Sequence, residues 1–255
     1  MPMILLCVLL LSSNGVQADA MNEARAGQAA AAQQNWSAAI EHFTRAIRSN
    51  EFDNPNQAVA YYNRGLNYHR LGQYNRAIED YSAALALNPA QLNALYNRAV
   101  AYTAKAEYAD ALAQLNAFLA LQPDHIDALV QRAGLYVEQK QPQPALQDLN
   151  RALQLAPNNP QVVLARADAN RQLGRYDAAL ADYNRLLQAL PEEGQATAMV
   201  YAGRGEVYED MNQPEQAIED YLKAYSLDPE NPAIQAKAAR TEKLYVPFSA
   251  GQRPR

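Results

Sequence analysis

Small and apolar residues recur along this chain in a fixed register. Ala-Ile or Ala-Leu pairs stand at Ala39-Ile40, Ala77-Ile78, Ala111-Leu112, Ala145-Leu146, Ala179-Leu180 and Ala217-Ile218, spaced by 38, 34, 34, 34 and 38 residues. Prolines keep step at Pro89, Pro123, Pro157, Pro191 and Pro229. The two longer intervals each hold four extra residues, near Glu51-Phe52-Asp53-Asn54 and near Glu192-Glu193-Gly194-Gln195. Self-similarity at such a period means that each repeat is one supersecondary unit stacked on its neighbours. A second small column, Gly27, Gly65, Ala99, Ala133, Ala167 and Gly205, precedes the first in every repeat. Helices joined by a tight turn approach closely only where small residues face each other. Each repeat therefore predicts a pair of closely crossing helices.

Aromatic residues occupy three further columns. Tyr68, Tyr102, Tyr136 and Tyr208 sit three residues beyond the small one, and Trp36, Tyr74, Tyr108 and Tyr176 sit at the turn. Phe43, Tyr81, Tyr183 and Tyr221 lie four residues after the paired Ala, on the same helical face. These rings fill the space between helices while their hydroxyls reach a partner or water. Ten of the 16 tyrosines fall in the three columns, so the excess of Tyr over four Phe and one Trp is architectural.

The turns agree with this reading. Gly72 and Gly174 suit the left-handed residue that ends a helix. Pro142 and Pro214 suit the first turn of the helix that follows, where a missing N–H costs nothing. The proline closing each repeat disfavours helix in its predecessor and stops the second helix on schedule.

The second repeat shows the pattern best: Tyr61, Gly65, Tyr68, Leu71-Gly72, Tyr74, Ala77, Tyr81, Ala84 and Pro89. It resembles the tetratricopeptide repeat, and the resemblance extends over roughly residues 20–231. It implies an all-α, right-handed α-solenoid of six helix–turn–helix units. Residues 1–20 then read as a signal peptide, 21–231 as six repeats, 232–245 as a capping helix and 246–255 as a flexible tail. The helix from Ile234 to Leu244 carries polar residues on its outer face, as the end of a repeat stack requires.

One column departs from the usual pattern. Where such repeats often place Leu, this chain has Arg64, Arg98, Arg132, Arg166 and Arg204. Four repeats carry Asp in the second helix, at Asp80, Asp148, Asp182 and Asp220, and Gln114 stands in that place opposite Arg98. The regularity predicts an Arg–Asp link between helices or between repeats. The alternative is a row of solvated arginines, whose exposed pairs contribute about 0–1 kcal/mol.

Composition narrows the class of function. With 22 Lys+Arg against 27 Asp+Glu the net charge is −5, which argues against binding a phosphate backbone. The run Met3–Leu11 is apolar but too short to span a bilayer, which takes about 20 residues. Ala18-Asp19-Ala20 follows as a signal-cleavage site, with Val16-Gln17-Ala18 as a second choice, so export to the periplasm or the exterior is expected. No Lys or Arg precedes the apolar run. Cys7, the one cysteine, lies inside it, and the bulky Leu6 before it speaks against lipoprotein processing. The mature chain then holds neither a disulfide nor a thiolate metal site.

No constellation for chemistry emerges. His42, His69 and His125 fall in different repeats without ligand spacing, and there is no metalloprotease motif, phosphate loop or nucleophile elbow. Acid pairs such as Glu79-Asp80 and Glu219-Asp220 repeat in one column, as a structural face does. The reading is non-enzymatic, with no catalytic or metal residue and no cofactor.

Function then falls to the surface that the repeats make. The resemblance implies a concave face lined by first helices, which takes protein or peptide partners. Its candidate groove residues are Val59, Tyr62, Leu66 and His69, then Tyr96 and Val100, then Val130. Tyr62, Tyr96, Leu66 and Val100 form an anchor pocket in one reading. In the other they pack first helices against each other. Later repeats turn polar at matching places, with Asp168 and Arg171 and then Glu206 and Glu209. Chaperone-tail-binding members hold a terminal carboxylate with Lys, Arg and Asn in this face. Here Asn63 and Asn97 remain, but Tyr62, Tyr96 and Val130 stand where cations are needed. An exported adaptor is the favoured reading, and an intracellular or membrane-anchored scaffold with an uncleaved N-terminus is the alternative. A ligand-binding protein or enzyme comes third.

Overall fold

The computed structural model describes residues 18–245. They form thirteen α-helices and no strand. In chain order these are α1 (Ala18–Ala32), α2 (Trp36–Arg48), α3 (Asn54–Arg70), α4 (Tyr74–Leu87), α5 (Leu92–Ala104), α6 (Tyr108–Leu121), α7 (Ile126–Glu138), α8 (Pro142–Leu155), α9 (Pro160–Gln172), α10 (Tyr176–Ala189), α11 (Gln195–Asp210), α12 (Pro214–Leu227) and α13 (Pro232–Tyr245). The apolar run Met3–Leu11 and the expected tail, residues 246–255, lie outside the described residues.

The chain divides into two compact halves after Ala128. In the first, α1 packs with α2, α3 with α4 and α5 with α6, and the pairs join through α2 on α3 and α4 on α5. In the second, α9 packs with α10 and α11 with α12, joined through α8 on α9, α10 on α11 and α12 on α13.

Close crossing within a pair depends on the two small columns. The ring of Phe43 lies over Gly27, that of Tyr81 over Gly65 and that of Tyr221 over Gly205. A Cβ at Gly65 or Gly205 would stand 2.8 Å from the facing ring, well inside contact distance. All three rings are fully buried, as are Ala39, Ala77 and Ala111. Small residue and ring thus form one packing unit repeated along the chain.

The turn between paired helices has one geometry throughout. Gln34, Gly72, Ala106, Lys140, Gly174 and Asn212 all adopt φ between 55° and 71°. Gly72 and Gly174 are the two glycines expected there. The other four reach the same left-handed conformation with a side chain, at a cost of about 1–2 kcal/mol each. Pro142 and Pro214 open α8 and α12 as expected. Second helices end on Asn88, Gln122, Ala156 and Asp228, whose φ between −133° and −143° has left the helical region just before proline.

The arginine column pairs as its regularity predicts. Arg64 Nε and Nη2 donate to Asp80 at 2.8 and 2.7 Å, and Arg132 does the same to Asp148 at 2.7 and 2.6 Å. Arg166 meets Asp182 at 2.8 and 2.6 Å, and Arg204 meets Asp220 at 2.8 and 2.7 Å. Arg98 keeps the geometry with Gln114 as its acceptor. The four aspartate side chains are only 4–8% exposed, which removes the solvated alternative.

A third bond ties four of these pairs to the one before. Nη1 of Arg64 donates to Thr44, of Arg98 to Ser82, of Arg166 to Asn150 and of Arg204 to Asn184. Each of these arginines therefore joins three helices. The register stops at the last interface, where Leu222 holds the acceptor place and Ala238, on α13, the arginine place. Ala238 is buried, and Ile234 joins Ala198, Ala202 and Ala224 in an apolar cluster. Apolar contact replaces the polar link where the repeats end.

Candidate functional site

The first half does not present the expected aromatic anchors. Tyr62, on α3, has no exposed surface, and its hydroxyl accepts from Asn97 Nδ2 at 2.9 Å. Its ring lies 5.9 Å from that of Tyr81. Leu66 is buried beside it in the same helix. Tyr96, on α5, is buried with its ring against Phe118 and His125. These three side chains belong to the core, which corrects their assignment as a groove surface. The wide rings bridge neighbouring helices and are covered in doing so. Val59, His69 and Val100 are half-buried on the same helices, and Val130 is half-buried in the second half.

An open groove lies instead in the second half. Helix α9 presents Leu164, Asp168 and Arg171, spaced to fall on one face. Helix α11 presents Met199, Ala202, Gly203 and Glu206, while α13 adds Ile234 and Lys237. Together with Val137 and Glu138 at the end of α7 they enclose about 410 Å³. Met199 is 54% exposed although it is a large apolar residue.

An apolar cleft of about 150 Å³ adjoins this groove and shares Leu164 and Met199 with it. Pro160, Leu186, Leu190, Ala196 and Val200 complete its wall. Leu190 and Ala196 flank the four extra residues of this repeat. Within that insertion Gly194 takes φ 124°, which favours glycine, and Thr197 Oγ1 donates to the carbonyl of Pro191 at 2.7 Å. The insertion thus shapes one wall of the cleft.

Charged groups run along the groove. Arg171 donates to Glu206 at 2.8 Å and to Asp210 at 3.0 Å. Lys237 contacts Glu206 from α13, and Arg240 holds Glu209 at 2.5 and 2.6 Å. Asp168 accepts from the hydroxyl of Tyr183, which reaches it beneath Gly203. A Cβ at Gly203 would come within 2.8 Å of that ring and hydroxyl. Tyr221 makes the corresponding bond to Glu209 at 2.8 Å.

Burial pushes the Asp168 carboxyl above the usual range, against the opposing pull of the Tyr183 hydrogen bond. Tyr183 is pushed up by burial and by Asp168, and Tyr221 by burial and by Glu209. These hydroxyls remain protonated donors at neutral pH. Among the described residues no group of three or more His, Cys, Asp or Glu is placed to hold a metal. No described helix is long and apolar enough to cross a membrane.

The seven residues expected from sequence therefore do not line this groove. Two signals pointed to it: the insertion at 192–195, and a column that runs Leu66, Val100, Gly134 before turning to Asp168 and Glu206. A charge entering an otherwise apolar column marks a place where packing is not the only demand.

Comparison with known proteins fits this architecture. Three tetratricopeptide-repeat family models match residues 58–91, 98–170 and 161–230. No curated protein matches the chain. A tetratricopeptide repeat protein from Parabacteroides merdae ATCC 43184 is 22% identical, with 88% of this chain and 98% of that one aligned and a TM-score of 0.66. YrrB, described as a TPR protein with an unusual peptide-binding site, is 25% identical over 79% of this chain and 98% of its own, with a TM-score of 0.62. Pseudomonas aeruginosa pilF is 19% identical over 89% of this chain and 100% of its own, with a TM-score of 0.66. Repeat period, helix pairing and family matches agree: the chain belongs to the tetratricopeptide-repeat family.

Proposed function

We propose that this protein is a non-enzymatic scaffold that holds partner proteins by peptide segments laid along the groove of its first helices. The observation that carries the reading is the groove itself. Four helices, α7, α9, α11 and α13, contribute side chains to about 410 Å³ of open space. Exposed apolar surface beside ordered polar groups is what a peptide needs. The similarly folded YrrB is described as having a peptide-binding site, which favours the same use here.

We further propose that the protein acts outside the cytoplasm, in the bacterial envelope, after signal cleavage following Ala18 or Ala20. The apolar run and the Ala18-Asp19-Ala20 triplet support this. The N–H of Ala20 donates to the carboxylate of Glu51 at 3.0 Å. A new amino terminus at Asp19 or Met21 would thus lie next to an acid. Cleavage after Ala18 also keeps the buried Ala20 in place.

Site-specific photo-crosslinking tests the scaffold reading. A benzophenone side chain at exposed Met199 is compared with one at exposed Ala181 of α10, in the intact chain produced in its own host. Adducts with defined proteins at Met199 and not at Ala181 support the groove. Absence of adducts at Met199 refutes it. The mass of the purified protein reports cleavage in the same sample, and an intact Met1 would favour the membrane-anchored alternative.

A further inference from the structure

If the groove holds a peptide, as the proposed function requires, its walls also define the chemistry of the bound segment. The apolar cleft fixes one requirement. At about 150 Å³, walled by Leu164, Leu186, Leu190, Met199 and Val200, it has room for one aliphatic side chain. A dry cavity of about this size accepts a benzene ring.

The charges fix a second requirement. Both cations that line the groove are already engaged, Arg171 with Glu206 and Asp210, and Lys237 with Glu206. Two acids make no direct ion pair. Asp168 is bonded to the neutral hydroxyl of Tyr183, with Arg171 and Lys237 acting on it only through space, and Glu138 is exposed at the end of α7 without an ion pair among the described residues. One helix end adds to the imbalance. Glu138 closes α7 with no basic residue in the last turn, whereas Glu209 and Asp210, which close α11, are met by Arg240 and Arg171. A helix C-terminus carries about half a negative charge, so acids there are disfavoured by about 0.3–1 kcal/mol unless something positive approaches. Acids still outnumber bases here, Glu138, Asp168, Glu206, Glu209 and Asp210 against Arg171, Lys237 and Arg240. Net negative potential beside an apolar cleft complements a cation that follows an apolar anchor.

Helix geometry sets the spacing. Leu164 and Asp168 are four residues apart on α9, a rise of about 6 Å, while Met199 and Asp210 span about 16 Å of α11. An extended peptide advances about 3.3 Å per residue, so these distances correspond to about two to five residues.

We propose that the second half binds an extended basic peptide, with one aliphatic side chain in the Leu164–Met199 cleft and a Lys or Arg two to five residues away facing Asp168 and Glu138. This is the opposite charge preference to a groove that clamps a terminal carboxylate.

Selection from a display library of random linear peptides on the intact chain tests the assignment. Recovered peptides are expected to pair an aliphatic residue with Lys or Arg at the stated spacing. Resynthesised, they should lose at least about tenfold in affinity to Met199→Lys. They should lose about fivefold to Glu138→Lys, with a shallower salt dependence between about 50 and about 300 mM. Both positions are exposed, and unchanged helical circular dichroism and melting verify that each variant folds. Acidic peptides, or basic ones that bind both variants as well as wild type, would overturn this chemistry while leaving partner binding intact. Recovery of no peptide above background overturns both this assignment and the peptide-scaffold reading.

Discussion

Arg64 and Asp80 face each other through two parallel hydrogen bonds of 2.8 and 2.7 Å, and the third guanidinium nitrogen reaches Thr44 on the preceding helix pair. The Asp80 side chain is 6% exposed and that of Arg64 17%. Removing one partner strands a buried charge, which costs about 3–5 kcal/mol, whereas replacing both with apolar residues is often close to neutral. Asp80→Ala should therefore destabilise the protein by about 3 kcal/mol in urea unfolding, and Arg64→Leu/Asp80→Leu should recover at least half of that. Equal losses in the single and double variants would mean that the ion pair is not what Asp80 contributes.

The left-handed turn column allows the same position to be tested with opposite signs. Ala106 adopts φ 59° and Gly72 φ 71° in equivalent places. At Gly72 and Gly174 an added Cβ meets no atom within 4 Å, so conformation alone decides there. Ala106→Gly should relieve about 1–2 kcal/mol of strain and give part of it back as unfolded-chain entropy, a net gain of about 0.5–1 kcal/mol. Gly72→Ala should lose about 1 kcal/mol. Thermal melting measures both, and a loss of stability in Ala106→Gly would show that the turn is held by something other than backbone preference.

Most of the scaffold was legible because repetition multiplies weak signals. Gly65 opposite Tyr81, Arg64 opposite Asp80 and Pro142 at the start of α8 each recur, and a column of like residues implies like surroundings. The groove was legible only in part: Asp168, Arg171 and Glu206 fall on the expected face, but the aromatic anchors do not. Tyr62 and Tyr96 look like binding residues in a list, but a ring on a first helix can lie on the open face or between helices. Which one it does depends on crossing geometry that no single repeat specifies. The groove that did open is made by departures from the pattern: Asp168 in an apolar column, Met199 on an open face, and the extra residues at 192–195.

Burial of the tyrosines gives the fold an alkaline limit. Burial pushes the hydroxyl of Tyr96 up to about 12, about two units above its ordinary value of 10. The folded state thus holds this proton more tightly than the unfolded chain. The stabilisation is complete below pH 10 and is lost as the pH rises toward 12, by up to about 2.7 kcal/mol at 1.36 kcal/mol per unit. Tyr96→Phe should move the alkaline unfolding midpoint upward and remove one late-titrating phenol from the absorbance at tyrosinate wavelengths. An unchanged midpoint together with an early titration of Tyr96 would place its hydroxyl in contact with solvent.

Asp168 differs from the scaffold aspartates in its partner: burial raises the pKa of Asp80 and Asp220 as well, but each of those carboxylates is held by an arginine. Asp168 receives one neutral hydrogen bond, from Tyr183, and burial raises its pKa. A carboxyl whose folded pKa lies above its unfolded value contributes stability while protonated, and that stability is lost as the pH rises through the folded value. At neutral pH, keeping Asp168 ionised therefore weakens the fold. Asp168→Asn retains an oxygen to accept from Tyr183 and removes the charge. It should unfold at higher urea than wild type at pH 7 and at the same urea near pH 3, where both side chains are neutral. The same variant should bind a selected basic peptide more weakly, since the negative charge that costs stability is what the ligand's cation would face. Greater stability with weaker binding is the signature of a residue kept for a partner. Lower stability at pH 7 would show instead that Arg171 and Lys237 hold the ionised carboxylate favourably, and Asp168 would then belong to the scaffold.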